Sequence, residues 1–219
     1  MKTLNDLKTL IPGALLRPAA YFAERGGWRS ALLPALIAVL AVTLLLVITR
    51  LLGPDSPFSG TGLSDAQLGV AARFQNPTPL ERLLFPLYWA VLVLYCAGVR
   101  WVGVMIFGEP NRRFADVLHV TIVGVLPFVL LSGVQGSLNQ IWPYWQLMPD
   151  SPIYFWRLAL NLLLFAISLA WEAYIVVAGL RGLIEQTPGR ALLTWALPLL
   201  GVLCCAVPAV YYLAVMTAG

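Results

Sequence analysis

The 219 residues are 60% apolar and only 11% charged, whereas an ordinary soluble domain is about 45–50% apolar and about 25% charged. A water-soluble fold cannot cover that much apolar surface with so few charges, so the bilayer is the implied solvent. The net charge of +4 comes from twelve Arg and two Lys scattered through the chain, with no basic cluster larger than Arg112–Arg113; this excludes a nucleic-acid surface and reads as a topology signal.

Residues 1–30 carry Lys2, Lys8, Arg17, Arg25 and Arg29 ahead of any long apolar run, which is not the pattern of a cleavable signal. Residues 3–24 mix apolar and basic side chains and are interrupted at Pro12 and Pro18. That composition predicts an interfacial amphipathic segment along the inner leaflet. The first span is Ala31–Thr49, within twenty uncharged residues, Ser30–Thr49, about the length needed to cross the hydrocarbon core. Between Leu52 and Arg82 lies the largest segment expected outside the membrane. It opens on Gly, Pro and Ser, has a short helix predicted over Ser64–Phe74 with Ser64 as N-cap, and closes on "NPTP", which cannot prolong that helix.

The second span is Leu84–Ile106, interrupted by Arg100. The uncharged stretch Val117–Pro149, at 33 residues, is too long for one simple span. The third helix is placed at Val117–Val134. The rest, Gln135–Pro149, is rich in Trp, Tyr and Pro and reads as an interfacial loop or short re-entrant piece rather than a sixth span. Trp142, Tyr144, Trp145, Tyr154 and Trp156 form the expected outer aromatic belt. The fourth span is Leu158–Leu180, carrying Glu172, and the fifth is Ala191–Val215. The fold class expected is all-α: a polytopic membrane bundle of five transmembrane helices (31–49, 84–106, 117–134, 158–180, 191–215) after an interfacial segment, residues 1–30.

Orientation follows from Arg and Lys beside the spans. One side collects ten: five in the N-terminal segment, Arg100, Arg112, Arg113, Arg181 and Arg190. The other has Arg50, Arg73, Arg82 and Arg157. The N-terminus is therefore cytoplasmic, and five spans put the C-terminus outside. A sixth crossing would reverse the downstream assignments.

Charges within spans are functional candidates. Arg100, His119 and Glu172 fall, at 1.5 Å rise per residue, roughly 4 to 12 Å from the inner boundary, at depths that allow one cluster. Asn161, Ser168 and Glu172, with Gly179, share one face of the fourth helix; Trp89, Cys96, Arg100 and Gly103 share one face of the second. One reading pairs Glu172 with Arg100 near His119. The other has Arg100 snorkelling to the headgroups and Glu172 protonated. Either arrangement serves helix packing, or a transport or relay role. Ala166–Ala170, Ala178–Gly182 and Ser132–Gly136 are small-residue pairs of the kind that let helices approach, and Pro127, Pro198 and Pro208 predict kinks.

Cys96, Cys204 and Cys205 lie in apolar runs without metal-ligand spacing, so no disulfide and no zinc site is expected. The sequence lacks H-E-x-x-H, G-x-S-x-G and Walker-type motifs and has a single His. No catalytic residue, metal or cofactor is expected.

Three stretches in order, "LLRPAAYFAERGGWRSALLPALI" (Leu15–Ile37), "FGEPNRRFADVLHVTIVGVLPFVL" (Phe107–Leu130) and "WEAYIVVAGLRGLIEQTPGRALLTWALP" (Trp171–Pro198), make the chain similar to the Yip1-domain family of membrane proteins. Their shared marks are Pro then Tyr-Phe and Gly-Gly before a span, Phe-Gly and a polar turn before a span containing Pro, and Gly-Leu with a short polar turn before an Arg-Ala helix start. The resemblance covers nearly the whole chain and implies five helices with a cytoplasmic N-terminus. Eukaryotic members act in vesicle traffic with Rab GTPases. This sequence lacks their long polar N-terminal region and resembles the short bacterial branch, which implies a bacterial inner membrane and no Rab-type partner.

The function expected is a non-catalytic interaction or scaffold component of a membrane assembly, its partners being the lipid bilayer and another membrane protein or a second copy. A small transporter, channel or lipid-handling protein is the alternative; the absence of a visible inverted repeat weighs against a secondary transporter.

Overall fold

A computed structural model describes residues 12–24, 28–52, 83–107, 113–141 and 152–218, and every regular element among them is helical. The helices are α1 (Pro18–Glu24), α2 (Arg29–Leu52), α3 (Phe85–Phe107), α4 (Phe114–Ile141), α5 (Pro152–Leu183) and α6 (Pro188–Ala218). Four stretches are long and apolar enough to cross a membrane: Arg29–Thr49 (21 residues), Phe85–Phe107 (23), Phe114–Leu138 (25) and Phe155–Leu183 (29). Each reaches the roughly 20 residues a span requires. The apolar part of α6 runs over Pro188–Cys204. The protein is thus helical throughout its described residues, and its apolar helices make it a membrane-embedded protein.

The described residues form two compact units. The first takes the described residues within Met1–Ala31, Leu92–Gly124 and Ala173–Gly219; the second takes those within Leu32–Val91 and Val125–Glu172. In the first unit α4 contributes the core: Val117, His119, Val120, Thr121, Ile122 and Val123 are all buried. In the second, α2 turns Ala38, Val42 and Leu46 inward at intervals of four, one helical stripe. That stripe meets the glycines of α4: a Cβ on Gly133 would lie 3.0 Å from Val42 Cγ1, and Gly136 packs on Leu46. Away from these contacts the helices present Leu36, Leu40 and Leu44, Leu87 and Val91, or Leu162 and Leu163 outward, the surface a lipid solvent requires.

Three hydroxyls in the second unit bond back to their own helices, as suits an apolar solvent. Thr43 donates to the Val39 carbonyl at 2.7 Å, Ser132 to Val129 at 2.7 Å and Ser168 to Leu164 at 2.8 Å. Of the small-residue pairs, Ser132–Gly136 supplies a contact through Gly136, while Ala166 and Ala170 are exposed. The helices run without a break through Pro34, Pro127 and Pro198.

Two boundaries correct the sequence reading. The third helix does not stop at Val134 but continues to Ile141, so residues 135–141 are helical and not loop. Glycines at 133 and 136 suit close packing against α2, and no proline intervenes before Pro143. The fourth helix starts at Pro152 and not Leu158, which puts Tyr154 and Trp156 in its opening turns; Pro is at ease in a first turn, where its missing N–H costs nothing. Trp142, Tyr144, Trp145 and the predicted helix Ser64–Phe74 lie outside the described residues.

The turn between α5 and α6 is built locally. The Leu180 carbonyl accepts from the backbone N–H of both Ile184, at 3.1 Å, and Gln186, at 3.3 Å. Glu185 has φ 59, the left-handed region that ends a helix and costs a non-glycine residue about 1 kcal/mol or more. Thr187 then caps α6, its carbonyl accepting from Ala191 N–H at 2.9 Å, with Pro188 in the first helical position.

Candidate functional site

The first unit holds its site around His119, which is fully buried on α4. The partner comes from the N-terminal segment. Residues 12–16 are helical, and the Arg17 carbonyl opens α1 by accepting from Tyr21 N–H at 3.1 Å. Through both pieces Ala14, Leu15, Pro18, Tyr21 and Phe22 are buried, while Leu16, Arg17, Ala19, Ala20, Ala23 and Glu24 are exposed. The buried positions fall at offsets 0, 1, 4, 7 and 8, a helical stripe that persists across the Arg17–Pro18 break. The amphipathic segment expected from the sequence therefore has its apolar stripe packed into protein.

That stripe ends on a three-ring cluster. The Tyr21 hydroxyl and His119 Nε2 are hydrogen-bonded at 3.3 Å. The Phe22 ring meets Tyr21 edge-on at 5.2 Å and His119 at 5.3 Å between centroids, the geometry favoured by the ring quadrupoles. Two glycines of α5 make room for Phe22. A Cβ on Gly179 would sit 2.8 Å from Phe22 Cε2 and 2.7 Å from Val120 Cγ2; a Cβ on Gly182 would sit 3.7 Å from Phe22 Cβ. Gly182 thus carries the packing role that the Ala178–Gly182 spacing suggested. Removing only the tyrosine hydroxyl leaves the ring packing and strands a buried imidazole nitrogen. Tyr21→Phe is accordingly expected to lower stability by about 1–3 kcal/mol, read as earlier thermal unfolding in detergent micelles.

Arg100 is also in the first unit, 1% exposed on the same face of α3 as the buried Cys96 and Gly103. Glu172, 5% exposed, closes the second unit. Its helix carries the polar face expected from the sequence spacing: Ser168 is buried and Asn161 half-buried. One member of that face was not anticipated. Arg157, counted among loop charges in the sequence reading, is 1% exposed inside α5 and donates from Nη1 to Asn161 Oδ1 at 3.1 Å. Arg157, Asn161, Ser168 and Glu172 stand at offsets 0, 4, 11 and 15, so the signal was present in the spacing. Of the aromatic belt, Trp156 is 75% exposed beside exposed Phe155, as interfacial residues are.

Tyr21 and Phe22 stood in the sequence only as a mark of resemblance, and the buried hydroxyls of Thr121 and Thr194 were not singled out. Both threonines are fully buried, and neither hydroxyl has a partner among the described residues. Among the described residues no group of three His, Cys, Asp or Glu could hold a metal ion. Chemically, the first unit offers an imidazole held by a phenol in an apolar enclosure, and the second a guanidinium held by an amide. Compared with known proteins, the chain matches no family model, no curated protein and no solved structure.

Proposed function

We propose that this protein is a non-catalytic membrane component that holds other membrane proteins, or copies of itself, in an assembly. The observation that carries this reading is the enclosure of its polar groups: Arg100, His119, Thr121, Thr194 and Arg157 are each at most 1% exposed. A conduit or a catalytic centre needs such groups within reach of solute or substrate, whereas enclosed polar groups hold helices together. In this reading α6 is a fifth span. The exposed arginines Arg17, Arg29, Arg113, Arg181 and Arg190 belong to the first unit, which supports a cytoplasmic N-terminus under the positive-inside rule. The reading also keeps the likeness to short bacterial Yip1-domain proteins of the inner membrane, without a Rab-type partner.

The second reading, transport of a solute or lipid, draws on the polar face of α5 from Arg157 to Glu172. Purification in mild detergent separates the two. Stoichiometric recovery of a second membrane protein, or of a stable homo-oligomer inert in liposomes, is the expected result. An oligomer that moves lipid or solute across liposomes, and ceases to when Glu172→Gln is introduced, would replace the assembly role with transport.

A further inference from the structure

The stretch of α6 around Pro198 combines a gap in its internal bonding with a specific external grip. Proline has no N–H, so the Thr194 carbonyl four residues earlier loses its helical donor. The Thr194 hydroxyl, fully buried, has no partner among the described residues either. The buried hydroxyls of Thr43 and Ser168 fold back onto their own helices; this one does not.

Within the first unit α3 grips α6 on both sides of this gap. Before the proline, Gly103 lets α3 lie against Thr194 and Leu197: a Cβ on Gly103 would be 3.2 Å from Thr194 Cγ2 and 2.5 Å from Leu197 Cδ1. Beyond it, two turns earlier on α3, the Tyr95 hydroxyl donates to the Pro198 carbonyl at 3.3 Å. A Cβ on Gly201 would fall 2.5 Å from the same oxygen, so glycine there clears the space the hydroxyl occupies. The first grip is broad and apolar. The second is a single hydrogen bond, longer than the 2.5–3.0 Å usual for O–H···O.

We propose that α6 hinges at Pro198 and that the Tyr95 hydroxyl is the pin that fixes its bend. With the hydroxyl in place, the helix beyond Gly201 keeps one direction. Without it, that part swings about a point where the helical ladder is already open, while the Thr194–Leu197 turn stays seated on Gly103.

The test is a distance within α6, measured between spin labels in the full-length protein in lipid nanodiscs. Labels at exposed Cys204 and at Arg190→Cys, with Cys96→Ser and Cys205→Ser, are 14 residues apart, about 21 Å along a straight helix. Tyr95→Phe is expected to broaden this distance distribution about twofold. Gly201→Ala, which displaces the hydroxyl without touching Tyr95, is expected to do the same. Adding Pro198→Ala, which restores the missing donor, is expected to narrow the distribution again. Parental width in both Tyr95→Phe and Gly201→Ala would overturn the pin. Broadening that survives Pro198→Ala would overturn the hinge.

Discussion

Phe22→Ala is expected to lower the stability of the protein by about 3–5 kcal/mol, the range for emptying a fully packed aromatic site. Phe22 is 2% exposed and touches three elements at once: Tyr21 beside it, His119 on α4, and the glycine notch of α5. Truncation removes the ring and leaves a cavity lined by groups that cannot follow it, because Gly179 and Gly182 have no side chains to fill the space. The second consequence is local. Tyr21 loses its ring neighbour, and the N-terminal segment loses the anchor at the end of its buried stripe. Limited proteolysis in the purified protein is therefore expected to cut near Arg17 or Arg25 in Phe22→Ala much faster than in the parent. A variant with unchanged melting and unchanged proteolysis would show that the N-terminal segment is not held by this ring.

Gly179→Val attacks the same contact from the other side. Even the first added carbon would lie 2.7 Å from Val120 Cγ2 and 2.8 Å from Phe22 Cε2, below any ordinary van der Waals separation, and valine adds two more. Overpacking of this kind costs about 1–3 kcal/mol and sometimes more. Val120 is fully buried and cannot retreat, so the upper end is expected, read as loss of thermal stability in detergent. The two sites touch, so their effects should not add. Combining Gly179→Ala with Phe22→Leu is expected to cost less than the sum of the single changes, because a smaller ring site leaves room for the added methyl. Strict additivity would separate the two residues energetically and contradict the notch.

The membrane class of the fold was legible because the bilayer imposes a length rule on sequence. Runs such as Ser30–Thr49 have no other explanation, and helices over 29–52, 85–107 and 152–183 overlap the expected spans closely. Helix ends were less legible, since hydropathy reports where the hydrocarbon stops and not where the backbone hydrogen bonds stop. That is why residues 135–141 looked like loop and are helix. The polar face of α5 was readable from spacing alone, but Arg157 was hidden among the loop charges: a cation near a span end reads as a topology mark until its burial is known. The His119 site was half legible. The histidine stood out as an intramembrane polar group, whereas Tyr21 and Phe22 carry no signal that separates a segment lying on lipid from one lying on protein. Both surfaces are apolar, and only Gly179 and Gly182 tell them apart.

The docking of α1 has a consequence for how the protein is made. Its hydrogen bond joins residues 98 apart in the chain. Tyr21 finds no seat until His119 has been translated, roughly 5–20 s later at about 5–20 residues per second. Seating Phe22 against the glycines of α5 comes later still, after the fourth long helix has entered. The segment is thus made ahead of the helices that seat it and is placed only after α4 and α5 have followed it.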